Sequence, residues 1–138
     1  MQSFAILYPA FAMALLTFGV SVWLLKMRIK AYKSGADPRY FKLNQGELPV
    51  YAKQAEQHYE NLFEMPVLFY VVLLVAFVTQ TANVGLVFLA WAYVAARAAH
   101  SYVHLGENKL LLRRNVFLVS FAILLMMWVW ILIALLVR

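Results

Sequence analysis

Four stretches of this chain are long, almost free of charge and apolar enough to cross a bilayer, a pattern that admits few folds. They run from about Phe4 to Leu25, Leu62 to Val78, Val84 to Val103 and Val116 to Val137. A hydrocarbon core of roughly 30 Å takes about 20 helical residues. Inside it every backbone N–H and C=O must be satisfied within the protein, so only helices or a closed barrel can span. The alternating pattern of barrel strands is absent. The expectation is an all-α integral membrane protein, one domain over residues 1–138 built as a bundle of four transmembrane helices.

Apolar residues make up 65% of the chain and charged ones 13%, about half the charged share of soluble domains. The net charge of +6 comes from basic residues that flank apolar segments and form no face of their own. The partners this suggests are membrane lipids with anionic headgroups, not nucleic acid. With no cysteine, disulfides, thiolate catalysis by the chain itself and cysteine-bound metal clusters are excluded. No basic stretch precedes the first span and no small-residue cleavage site follows it, so it reads as a retained helix.

Loop charge sets the orientation. Lys26, Arg28, Lys30, Lys33, Arg39, Lys42 and Lys53 lie in a loop over 26–61, and Lys109, Arg113 and Arg114 in a second over 104–115. Only Arg138 stands on the other side. Basic loops stay cytoplasmic, so both termini are expected on the non-cytoplasmic side. Between the second and third spans, Thr79 to Asn83 is short enough to force a helical hairpin. A helix from Pro49 to Val78 would exceed the bilayer, leaving a cytoplasmic stalk, with a kink expected at Pro66.

Against this apolar background a few polar residues stand out. His58, Asn61 and Glu64 share a helical face at the membrane boundary. His58 lies outside the hydrocarbon and reads as an interfacial group wetted by water. Glu64 abuts the run Met65-Pro66-Val67-Leu68-Phe69 and needs a partner. In the third span Tyr93, Arg97, His100 and His104 follow intervals of four, three and four, again one face. Arg97 either snorkels to the interface or pairs with Glu64 across the hairpin, and the pair is the expectation. Alanines at 90, 92, 95, 96, 98 and 99 permit close helix approach. Arg113 either anchors the loop before the fourth span or turns inward over an anionic or thiolate group, whereas Arg114 reads as an anchor. Three histidines are a conceivable metal set, but no carboxylate stands beside His100 and His104 at ligand spacing, and no metal is expected.

The run Glu60-Asn61-Leu62-Phe63-Glu64-Met65-Pro66-Val67-Leu68-Phe69-Tyr70 resembles the second-helix signature of the MAPEG superfamily, the membrane-associated proteins in eicosanoid and glutathione metabolism. The segment Arg97 to Leu105, with Asn108 and Arg113, resembles that superfamily's third-helix and loop signature in its bacterial form. The resemblance covers nearly the whole chain. It implies a homotrimer in a bacterial inner (cytoplasmic) membrane, with glutathione as co-substrate between subunits. By position it implies that Arg28, Asn61, Glu64, Arg97, His100 and His104 contact glutathione and that Arg113 is catalytic, stabilising the thiolate. Two positions depart from the pattern. His58-Tyr59-Glu60 stands where an arginine is frequent, and Phe117 stands where eicosanoid enzymes have a tyrosine, which argues against eicosanoid synthesis.

The expected function is a membrane-embedded glutathione-dependent transferase or peroxidase acting on lipophilic electrophiles. The alternative is a non-catalytic lipid- or partner-binding protein of the same fold. A small transporter is a third reading, which four spans without repeats or broken helices do not favour.

Overall fold

The computed structural model describes residues 4–137. Arg138, the lone basic residue assigned to the outer face, lies outside the described residues. A single 3-10 turn, Phe4–Leu7, leads into α1 (Tyr8–Lys33), followed by α2 (Pro38–Leu43), α3 (Val50–Asn61), α4 (Met65–Val78), α5 (Val84–Leu105) and α6 (Leu110–Leu136). No strand occurs among the described residues. Four helical stretches are long and apolar enough to cross a membrane: Phe4–Lys33, Val50–Val78 counted across its break, Val84–Leu105 and Leu110–Leu136. The protein is an integral, multi-pass membrane protein.

Local chemistry explains the ends. Pro9 sits in the first turn of α1, where its missing N–H costs nothing. Lys30 and Lys33 occupy the last turn, near the partial negative charge of the helix terminus. Gly35, at φ +89°, then reverses the chain in a conformation that suits glycine. Asp37 caps α2 by accepting from the Arg39 N–H at 2.8 Å, and Asn83 caps α5 by accepting from the Leu86 N–H at 3.0 Å. Helix α1 runs on past Leu25, where the apolar stretch stops, because a helix outside lipid needs only its own hydrogen bonds.

The expected continuous rod from Pro49 to Val78 is not formed. Helix α3 stops at Asn61, Glu64 takes φ −95° and ψ −100°, and α4 restarts at Met65. The sequence placed a kink at Pro66; the chain instead breaks one turn earlier. Pro66 has no N–H to give the Leu62 carbonyl, and its ring would clash with that carbonyl in a continuous helix. Tighter turns replace the ladder, Leu62 N–H to Tyr59 O at 3.0 Å and Phe63 N–H to Glu60 O at 2.9 Å.

Packing also departs from a simple hairpin. Helix α4 approaches α6 and the Phe4–Leu7 turn more closely than it approaches α5. Phe69 of α4 stacks on Tyr93 of α5 with ring centroids 4.3 Å apart, and these bulky rings hold the two backbones apart. The closest backbone pairing is α5 with α6, as the alanine-rich face of α5 permits. At Gly85 a Cβ would lie 2.9 Å from the Trp130 ring, so the bare backbone is what admits that indole. The core unites Met13, Phe69, Val72, Leu86, Tyr93 and Met127. Large side chains such as Phe11, Phe18, Leu74 and Phe88 point outward, which water would penalise and lipid favours.

Candidate functional site

Where the C-terminal ends of α3 and α5 meet the start of α6, the bundle opens into a cavity of about 580 Å³. Its walls carry Asn61 and Glu64 from the helix break, His100 and His104 from α5, and Arg113, Arg114 and Phe117 from α6. Each placement has a local cause. The break at Leu62–Glu64 ends α3 with Asn61 at the rim. Glu64 precedes α4 but caps none of its N–H groups, so its exposed side chain is left at the cavity wall. His100 and His104 are one turn apart and face the same way.

Arg113 and Arg114, expected to close a loop, instead belong to the first turns of α6. Leu110-Leu111-Leu112 are good helix formers, so the helix starts well before the apolar stretch does. Arg113 is thereby held on a rigid element. Its Nη1 donates to Asn108 Oδ1 at 2.8 Å and lies 3.3 Å from His104 Nε2. Asn108 adopts φ +49°, a left-handed conformation that asparagine tolerates, and this aims its amide at the guanidinium.

Arg97 and Glu64 do not pair. Arg97 is fully buried behind the cavity, and its Nη2 donates to the Asn61 carbonyl at 3.2 Å. It thus meets the negative end of α3 that the break exposes. Its Nε and Nη1 have no partner among the described residues, and its guanidinium lies 5.9 Å from the Phe117 ring centre. Glu64 is turned out to the cavity mouth, because the break rotates it off the face of α3 that it would share with Asn61.

Arg28 also lies apart from the cavity lining. Its Nη2 meets Glu56 Oε1 at 3.0 Å, and the other Glu56 oxygen accepts from the Tyr40 hydroxyl. That bond to a carboxylate pushes the Tyr40 phenol up to about 12, so it stays a neutral donor throughout the ordinary pH range. Together the three residues tie α1 and α2 to α3.

His58 is not a wetted interfacial group. It is completely buried, because the face of α3 that carries it packs on α5. Its Nδ1 lies 3.1 Å from His104 Nδ1 and its Nε2 lies 2.8 Å from Ser101 Oγ. Ser101 in turn donates to the Arg97 carbonyl at 2.9 Å. Ser101 went unnoticed in the sequence, although its spacing of four from Arg97 and three before His104 places it on the same helical side. Gln54, which donates to the His104 and Gly106 carbonyls, had a similar signal, being four before His58.

His58, His100 and His104 offer ring nitrogens that all lie within 4.8 Å of one another, so the structure gathers the metal set that the sequence set aside. Both nitrogens of His58 and of His104 are already engaged, however, and the buried Arg97 and the adjacent Arg113 repel a divalent cation. No carboxylate bonds any of the three rings among the described residues. The donor set suits neutral hydrogen bonding better than metal. Only His100 keeps both nitrogens unpartnered, and it borders the cavity.

On the opposite side of α5 a second groove of about 640 Å³ is almost wholly apolar, with Leu15, Val20 and Trp23 of α1 facing Tyr102 and Leu105. One cavity therefore carries both signs of charge and the other is lined by apolar side chains.

No curated protein and no solved structure is a match to this chain. A family model does match, the MAPEG family, over residues 6–133. It takes in the helix break, the histidines and the arginines just described, and the chain belongs to the MAPEG family.

Proposed function

We propose that this protein is a glutathione-dependent transferase or peroxidase that acts on lipophilic electrophiles delivered from the bilayer. The observation that carries the reading is the convergence of Asn61, Glu64, His100, His104 and Arg113 on one cavity, within a family whose members generally use glutathione. The cavity is of the size that holds a small ligand. Glutathione has an ammonium group, two carboxylates and a thiol. Glu64 takes the ammonium, and Asn61 donates to and accepts from the peptide groups. Arg114, at the rim, adds a cation for a carboxylate. Arg113, fixed on α6, lies over the thiol sulfur and stabilises it as thiolate.

In a transferase cycle the thiolate forms an S–C bond to the electrophile while the leaving group departs with the bond pair. The thiol proton passes to solvent at the cavity mouth. Arg97 acts from behind by holding the Asn61 carbonyl, so its part in ligand binding is indirect. Arg28 is committed to Glu56 and Tyr40, and its contact with glutathione would require that tie to open. The active form is a homotrimer in the bacterial cytoplasmic membrane, with both termini outside.

A conjugation assay with a hydrophobic aryl halide tests this. Arg113→Ala should lower the rate at least tenfold, the scale of losing a charge-assisted bond to the developing thiolate. Equal rates in the two proteins would remove Arg113 from the mechanism. Two observations favour a second reading, a non-catalytic binding protein: Phe117 supplies no hydroxyl to the cavity, and Arg113 already has two partners. Calorimetry separates the two, since that reading requires lipid binding with no heat from millimolar glutathione.

A further inference from the structure

We infer that Ser101, His58 and His104 form a one-way hydrogen-bond relay that holds Arg113 in place, with His58 and Ser101 as positioning residues. The direction follows from what each group can do. Arginine has no acceptor, so at the 3.3 Å contact with His104 Nε2 the guanidinium donates and the ring nitrogen accepts. A neutral imidazole that accepts at Nε2 carries its proton on Nδ1. That proton points at His58 Nδ1, 3.1 Å away, which must therefore accept. His58 then carries its own proton on Nε2 and donates to Ser101 Oγ at 2.8 Å. The Ser101 hydroxyl completes the sequence by donating to the Arg97 carbonyl at 2.9 Å.

Every donor in this chain has one acceptor and no two protons meet. The alternative tautomer of His104 would turn an N–H toward the Arg113 guanidinium and a lone pair toward His58. Protonating His104 would set two cations against each other. Burial makes either error costly, since His58, Ser101 and His104 are all shielded from water. The relay thus fixes a single tautomer for each ring, and the acceptor lone pair at His104 Nε2 fixes the direction of Arg113 together with Asn108. Ser101, a buried residue of α5 that also borders the apolar groove, in this way steers the cation in the polar cavity.

The role of the relay in rate rests on the glutathione reading, but its existence does not. Nitrogen NMR of the full chain, labelled at histidine and held in lipid nanodiscs near neutral pH, reads the tautomers directly, with assignment by single His→Gln variants. His58 as the Nε2–H form and His104 as the Nδ1–H form are expected. The reversed forms, an imidazolium at either ring, or resonances that shift on adding zinc alone would overturn the relay. Ser101→Ala should leave the His58 Nε2–H without its acceptor, moving the His58 Nε2 resonance while both rings keep their tautomers, and lower kcat for conjugation roughly tenfold, with KM for glutathione unchanged, the scale of one orienting hydrogen bond. Ser101→Thr, which keeps the hydroxyl, should restore both readings. An unchanged kcat and unchanged spectrum in Ser101→Ala would overturn the proposal. An inactive parent with the expected tautomers would instead count against the glutathione reading alone.

Discussion

Arg97 is held for something other than stability. Its guanidinium is completely buried with one bond to a carbonyl and no counter-ion among the described residues. Desolvating an ion costs several kcal/mol, whereas one charge-assisted hydrogen bond returns only about 1.5–3 kcal/mol. Arg97→Met, which keeps the length and removes the charge, should therefore melt in detergent no lower than the parent. A fall of many degrees would mean that an anion meets Arg97 in the working protein. His100 gives the complementary case. Its ring nitrogens are unpartnered and it borders the cavity, so His100→Leu should weaken ligand binding severalfold in calorimetry with little change in melting.

At the level of elements, the break between α3 and α4 does most to shape the site. Pro66→Ala supplies the N–H that the Leu62 carbonyl lacks and removes the ring clash. The expected outcome is a gain of helix by circular dichroism, with Glu64 drawn onto the helix face and ligand affinity reduced. Unchanged affinity would show that the break is not what opens the cavity. The tie among Arg28, Glu56 and Tyr40 is a second such device. Tyr40→Phe deletes a donor to a carboxylate and should cost about 1–2 kcal/mol. Limited proteolysis at Lys33, Arg39 and Lys42 should quicken as α2 loosens. Because the phenol titrates only at about 12, its neutral, donating form is retained below that value, and the parent's cleavage pattern should not change between mildly acidic and mildly alkaline buffers.

At the level of the whole molecule the absence of cysteine makes topology directly measurable. Lys42→Cys and Val84→Cys place single thiols at exposed positions in the segments on either side of the second span. In intact cells an impermeant maleimide should label Val84→Cys and spare Lys42→Cys, and the reverse pattern would invert the assigned orientation. The four spanning stretches were legible because the cost of charge in hydrocarbon is written into every residue of them, and the resemblance to a family lay in short ordered motifs that survive without any geometry. Along one helix the period of 3.6 residues also placed His100 with His104, which border one cavity.

What sequence alone determined, then, was the set of four apolar spans, one short turn at Thr79 to Asn83, and polar residues at the shared end of the spans. Only the tertiary structure decided which faces meet. It sent Arg97 to the Asn61 carbonyl and not to Glu64, buried His58 against Ser101 and His104, and drew Arg113 into helix α6 beside Asn108. Spacing along a helix is set by its own hydrogen bonds, but pairing across helices depends on how rings such as Phe69 and Tyr93 hold backbones apart and on where Pro66 forces a break. Those are properties of packing between distant segments, and no local period records them.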